Sequence, residues 1–266
     1  MEKTLKGKEG LIHGTAIIHP NAQISDGVRI GPYAVIDENV SIGEGTKIDS
    51  HCVITGHTSI GKDNRIGIGA VIGLEPQDAA YRDEKSFVRI GERNIIREYV
   101  QIHRGTKEGT ETRVGDDNFF LGFSHIAHNC RVGNGVVLAN GALLAGYVGV
   151  EDYAFISGHC LVHQFCRIGK YAMMRGGARV SLDIPPYCVA DDANSIRGIN
   201  TVGLERRGFT LAQIKEIKKT YKEIFSGSAP LKDRIENLLA KNPPQEIRYF
   251  LDFIKNSERG VCRPPS

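Results

Sequence analysis

The chain has no tryptophan, only three methionines, and 7% aromatic residues in a length of 266. So little aromatic mass implies a core of thin aliphatic layers. No CxxC pair occurs among the six cysteines, which argues against a disulfide or metal framework and for small buried thiols in a reducing compartment. The segment Met1–Gly10 is polar, carries Lys3, Lys6 and Lys8, and lacks the apolar run of a secretory signal. The most apolar later stretch, Val136–Val150, is broken by Asn140 and glycines, so no membrane span is expected. A cytoplasmic protein is the expectation. Net charge is small, +3 overall, but uneven. Leu204–Ser266 holds 13 Lys and Arg against 8 Asp and Glu, a balance of +5 that leaves −2 for the rest.

What is present is a ladder of period six. It opens Ile12, Ile18, Ile24, Ile30, Ile36, Ile42, Ile48, Ile54, Ile60, Ile66, Ile72, resumes at Ile90, Ile96, Ile102, and runs from Val114 to Val180. Of its 29 slots, 26 hold large apolar residues; the exceptions are Asp78, Glu84 and Glu108. A column of small residues follows four positions after each rung, and Cys52, Cys130, Cys160 and Cys166 fall in it.

Period six matches neither a helix face nor simple alternation. It matches a short strand and a tight corner, repeated, which is the signature of a parallel β-helix. Three sides per coil take 18 residues, so residues 18 apart stack at about 4.8 Å. The two phase-preserving interruptions, 73–89 and 103–113, are predicted loops. Pro185-Pro186 ends the ladder, 187–203 reads as irregular, and helices are predicted over Leu211–Phe225 (capped by Thr210), Leu231–Lys241 and Gln245–Ser257. Two domains are therefore expected: a β-helix over 1–190, then a linker and helical domain over 191–266. The basic tail suits an acidic partner, with a merely solvated helix surface as the plain alternative.

Chemistry concentrates at Ser124-His125-Ile126-Ala127-His128-Asn129-Cys130. His125 and His128 flank a rung and are free to face a groove; with no matched carboxylate or Cys ligand they make a weak zinc site. Adding 18 to His128 gives Gly146, and 18 more gives Gln164, beside His163. A vertical column of imidazole, glycine amide and carboxamide has the parts of an acyl-transfer site: a base, an N–H for an oxyanion, and a polar anchor. No Ser or Cys nucleophile stands beside it, so direct transfer to an acceptor hydroxyl or amine is the simpler scheme.

Several segments carry a more specific resemblance: His125-Ile-Ala-His128, Val162-His-Gln-Phe-Cys166, Asp183-Ile-Pro-Pro-Tyr187, Gly203-Leu-Glu-Arg-Arg-Gly-Phe209, Ile72-Gly73 with Gln77-Asp78, and Ile102-His-Arg-Gly-Thr106. In these the whole chain resembles the UDP-N-acetylglucosamine acyltransferases of lipid A biosynthesis. The resemblance implies a left-handed β-helix with a C-terminal α-helical domain, assembled as a homotrimer with sites between prisms. It implies transfer of a 3-hydroxyacyl group from acyl carrier protein to the 3-hydroxyl of UDP-N-acetylglucosamine, with no cofactor, no metal and no nucleic acid. His128 would be the general base and Gly146 the oxyanion donor. Gln77, Asp78, His125, Tyr147, His163 and Gln164 match substrate-contacting positions, Asn200, Arg206 and Arg207 the nucleotide end, and Arg175-Gly176 the place where acyl length is gauged. Three positions depart from the family pattern: Ala80 replaces a Lys, Asn129 an Asp, and Tyr147 a substrate-contacting His. They keep open a paralogous enzyme that uses an amino-sugar nucleotide or a short acyl-CoA. A non-enzymatic scaffold or a carbonic-anhydrase-type metal enzyme fits the polar column and the Arg206-Arg207 pair less well.

Overall fold

The computed structural model describes residues 11–265; the reading of Met1–Gly10 lies outside them. Strands of two to four residues recur every six, and each pairs in parallel with the strand one coil further on. Three sheets result, of nine, eight and ten strands among the described residues, wound as a left-handed β-helix. The first face begins at Ile17–Ile18, the second at Gln23–Ile24 and the third at Arg29–Ile30.

Register follows the ladder. On the first face Ile54, Ile72, Ile102, Ile126, Leu144, Val162 and Val180 stack in one column. Ile72 to Ile102 is a step of 30, and Ile102 to Ile126 a step of 24. The excesses over 18 are 12 and 6, both whole multiples of the repeat, so each excursion leaves and returns without turning a rung outward. From Ile30 to Val180 the rungs are at most 5% exposed. Inside the prism a polar ladder replaces part of the small column. Asn94 donates to Asn64 Oδ1, Asn118 donates to Asn94 Oδ1, and the Val136 N–H donates to Asn118 Oδ1. Each buried carboxamide is thereby satisfied.

The excursions are shorter than the sequence suggests. Strands Val71–Leu74, Phe87–Ile90, Gln101–His103 and Glu111–Val114 take up the predicted loop ends. The chain leaves the prism only over 75–86 and 104–110, because ladder pairing holds wherever a parallel neighbour exists.

The segment read as irregular is instead a hairpin. Cys188–Asp191 adds to the third face beside Met173–Met174, and Ser195–Ile199 turns back antiparallel to it. The boundary set between 190 and 191 thus falls inside a strand. Four helices follow: α1 Thr201–Arg206, α2 Leu211–Phe225, α3 Leu231–Ala240 and α4 Gln245–Lys255. Thr210 and Gln213 form a capping box at the start of α2. Ile214, Ile217, Ile224, Phe250 and Leu251 are buried in the same continuous core as the ladder. No described helix is long and apolar enough to cross a membrane.

Candidate active site

Outward side chains differ by face. The second presents Arg89, Arg113, Arg131 and Arg167. They line a cleft of about 770 Å³ that holds none of the candidate site residues named above. The first presents His125, Leu143, Leu161 and Arg179 in register. Beside that column lies a cleft of about 690 Å³.

At the corner where the first face turns into the second, His128, Gly146 and Gln164 stack as the spacing of 18 requires, and all three line this cleft. Tyr147 N–H donates to His128 O, and Phe165 N–H donates to Gly146 O, which fixes the rise between them. The Cε1 end of the imidazole, with both ring nitrogens, lies against Gly146. A Cβ there would sit 2.5 Å from His128 Nε2 and 3.0 Å from Nδ1, so only glycine admits the ring. The neighbouring Ala145 and Tyr147 N–H groups donate to Val162 O and His128 O at 3.0 Å. Among the described residues no backbone oxygen accepts the Gly146 N–H, which remains available to a ligand.

His128 is only 7% exposed. It is less open than a free corner residue, because neighbours enclose it. The Tyr147 ring meets its edge at 5.4 Å and 85°. Its Nδ1 lies 3.1 Å from Asn129 Oδ1. Asn129 holds φ at 61°, a left-handed conformation that asparagine adopts more readily than bulkier residues. Its Oδ1 also accepts from the Thr106 N–H and from Thr106 Oγ1, each at 3.0 Å.

His125 stands on the strand before the corner. Burial, and then the neighbouring His103 and His128, push it down to about 4. His103 is lowered too, chiefly by burial, against the opposing effect of its 2.6 Å bond to Glu75 O. Both rings therefore favour the neutral form.

The positions inferred from resemblance fall in three places. Gln77, His125, His128, Gly146, His163 and Gln164 wall the cleft. Asp78 does not; its Oδ1 accepts the Ala80 N–H at 2.9 Å within the 75–86 excursion. Tyr147 is not a wall residue either, since its hydroxyl meets Thr106 Oγ1 at 2.9 Å and its ring stacks on Phe165 at 5.0 Å. Asn200, Arg206 and Arg207 line a separate cleft of about 530 Å³ on the third face. Asn200 caps α1 by accepting the Gly203 N–H, and a Cβ at Gly203 would collide with it. Arg207 lies 4.4 Å over the Tyr153 ring. Arg175 and the exposed Gly176 occupy the corner between the third and first faces, where Arg175 pairs with Asp191 at 2.9 Å.

Sequence reasoning passed over Leu143, Leu161 and Arg179. The same step of 18, applied from His125, finds all three. Ser181, also in the wall, is a further step of 18 from His163; Asn194 comes from the turn of the hairpin, and no repeat arithmetic reaches it. Among the described residues no group of three or more His, Cys, Asp or Glu is placed to hold a metal ion.

Comparison with known proteins bears on this geometry. Residues 183–262 match the family model described as UDP-N-acetylglucosamine O-acyltransferase, domain 2, and 111–146 match the bacterial transferase hexapeptide model. The acyl-[acyl-carrier-protein]–UDP-N-acetylglucosamine O-acyltransferase of Janthinobacterium sp. (strain Marseille) is 48% identical over 260 residues, covering 95% of this chain and 99% of that one. The enzyme of the same name from Alkalilimnicola ehrlichii is 50% identical over 252 residues, covering 93% and 97%. The solved UDP-N-acetylglucosamine acyltransferase of Francisella novicida superposes with a TM-score of 0.91 at 42% identity, over 96% of this chain and 95% of that one. With likeness of that depth along nearly its whole length, the chain belongs to the UDP-N-acetylglucosamine O-acyltransferase family.

Proposed function

We propose that the protein transfers a 3-hydroxyacyl group from acyl carrier protein to the 3-hydroxyl of UDP-N-acetylglucosamine, an early step in building lipid A, with His128 as general base. The observation that carries this is the stacked column of His128, Gly146 and Gln164 at the mouth of an apolar strip. His128 Nε2 takes the proton from the sugar hydroxyl as the oxygen attacks the thioester carbonyl. The Gly146 N–H donates to the oxyanion that forms. Collapse breaks the carbon–sulfur bond, and the departing thiolate takes the proton back from His128. Leu143 and Leu161, 40% and 46% exposed, offer an apolar track for the acyl chain beside the base. His163, Gln164 and Gln77 then serve the sugar and its phosphates.

The assembly is a homotrimer. Within one chain the base sits at the corner of the first and second faces, and Asn200, Arg206 and Arg207 at the corner of the second and third. Their clefts lie at the same height along the prism. Most outer residues of the first face (Ile17, Val35, Val53, Val71, Leu143, Leu161) and of the third face from Ile95 onward (Ile95, Phe119, Val137, Phe155) are apolar, interrupted by Gln101, His125 and Arg179 on the first and preceded by Arg29, Lys47 and Arg65 on the third, whereas the second face carries Arg89, Arg113, Arg131 and Arg167. The corner between the two apolar faces carries the exposed stacked pairs Tyr33–His51 and Tyr99–Phe123. Three prisms meeting at that corner cover both apolar faces. The first face of each then faces the third face of the next, which unites the base of one chain with the nucleotide end of its neighbour.

One transfer assay tests this, with a panel of 3-hydroxyacyl carrier proteins and with UDP-N-acetylglucosamine beside its 3-amino analogue. Transfer to the hydroxyl that falls by roughly 10²–10⁴ in His128→Ala supports the reading. Transfer to the amine alone moves the protein to the paralogous reading, which the neutral Asn129 beside the base favours. Transfer to neither overturns both.

A further inference from the structure

The 104–110 excursion has an evident structural consequence at the base. It carries Thr106 across to Asn129, 23 positions later, and both side chains are nearly buried, at 6% and 9% exposed. The Thr106 backbone N–H can only donate. Its 3.0 Å partner on Asn129 must therefore be the carboxamide oxygen, which sets the amide orientation. Thr106 Oγ1 donates to the same oxygen, so the 2.9 Å contact between Thr106 Oγ1 and Tyr147 OH has the tyrosine as donor. The oxygen so oriented lies 3.1 Å from His128 Nδ1. An amide oxygen has no proton to give, so Nδ1 carries the hydrogen and Nε2 carries the lone pair. The Asn129 backbone is held as well, by its N–H donating to Thr112 Oγ1 at 2.8 Å on the strand that re-enters the prism.

We infer that Thr106 and Tyr147 are positioning residues for the base, and that the 104–110 excursion serves as a clamp: Thr106 orients the Asn129 carboxamide, which locks His128 in the Nδ1–H tautomer with Nε2 free for the acceptor. This rests on the proposal that His128 is the base. Neither Thr106 nor Tyr147 walls the cleft, so both act through Asn129 and His128. The other ionisable groups nearby are His103 and His125 on the first-face strands, Arg104 in the excursion and His163 two coils above. Arg104 is itself engaged by Gly73 O, Tyr81 OH and Glu75. With an amide in place of a carboxylate, the clamp fixes geometry and tautomer without placing a negative charge beside the ring.

The test uses the full-length protein in the transfer assay over a range of pH. Thr106→Val keeps the backbone N–H and loses the hydroxyl. The expected result is a fall in kcat of about three- to tenfold, the range of one hydrogen bond, with KM changed less than about twofold. Thr106→Ser recovers kcat to within about twofold. Tyr147→Phe falls by less than Thr106→Val, and the double variant is no worse than Thr106→Val alone, because the two bonds form one chain. Asn129→Asp retains the acceptor, adds the charge that favours imidazolium, and moves the acidic limb of the kcat/KM profile to higher pH. The ¹⁵N NMR shifts of the imidazoles, assigned with His128→Gln, report the tautomer without substrate. Wild-type kcat in Thr106→Val, no recovery in Thr106→Ser, or a proton on Nε2 overturns the inference. If the wild type transfers nothing, the functional reading fails, and the NMR measurement alone decides whether the clamp sets the tautomer.

Discussion

Gly146→Ala is the smallest change that separates the proposed base, His128, from its proposed oxyanion donor while leaving both present. Gly146 is not in the left-handed region, so alanine suits its backbone. The difficulty is purely steric. The new methyl would sit 2.5 Å from His128 Nε2 and 3.0 Å from Nδ1, where ordinary carbon contacts are about 3.5–4.0 Å. The ring must retreat by about 1 Å into the cleft. That movement strains the 3.1 Å bond to Asn129, and Tyr147 edge-on to the ring limits the escape. A misplacement of about 1 Å costs on the order of 10²-fold in rate. Overpacking of this kind costs about 1–3 kcal/mol of stability, which lowers Tm by only a few degrees. The expected variant is therefore folded, assembled and at least about a hundredfold slower, with the loss in kcat. Gly45→Ala is the control for fold strain: its methyl would press on Asp63, at a corner between the second and third faces with φ of 71°, well below the cleft. It should lower Tm and leave kcat near wild type. A fully active Gly146→Ala would refute the packing of the imidazole against Gly146, and an unfolded one would refute the claim that the clash is local.

Three further outcomes follow from the packing of the prism and its surface. Ile126→Asp puts an unpaired carboxylate at a fully buried rung and should abolish soluble, assembled protein; an active trimer would refute the register. Phe155→Asp places charge on the apolar part of the third face, where this side chain is 38% exposed; sedimentation should show loss of the proposed trimer, and activity should fall with it because the proposed assembly brings the nucleotide end from the neighbour. The third is pH dependence. His125 titrates at about 4 in the folded state against about 6.5 unfolded. Between those values the unfolded chain binds more protons. The contribution of His125 is thus fully present above pH 6.5 and is lost as pH falls toward 4. His125→Asn should flatten that part of a Tm-against-pH curve, and an unchanged slope would refute the assignment.

The candidate site was legible to the extent that it obeys the repeat. His128 over Gly146 over Gln164 follows from adding 18, because parallel neighbours in a β-helix are spaced by one coil and nothing else. The excursions escape that rule. Gln77 and Thr106 reach the site on segments that leave the prism, and their landing places depend on side-chain bonds rather than period. The hairpin Cys188–Asp191 with Ser195–Ile199 was missed for a related reason. Its strands pair out of phase with the ladder, Ala190 lying beside Met174 at a step of 16.

By itself the sequence determined the prism, its register across both interruptions, and the helix beginning after Thr210. Each is a local rule repeated or a local cap, and burial of one aliphatic rung per strand leaves no alternative phase. Only the tertiary structure decided that Tyr147 buttresses His128 instead of walling the cleft, that Asn129 presents its oxygen, and that Asn200, Arg206 and Arg207 lie on another face from His128. Those facts depend on which atoms meet across 23 to 41 positions of chain, and no period encodes that meeting.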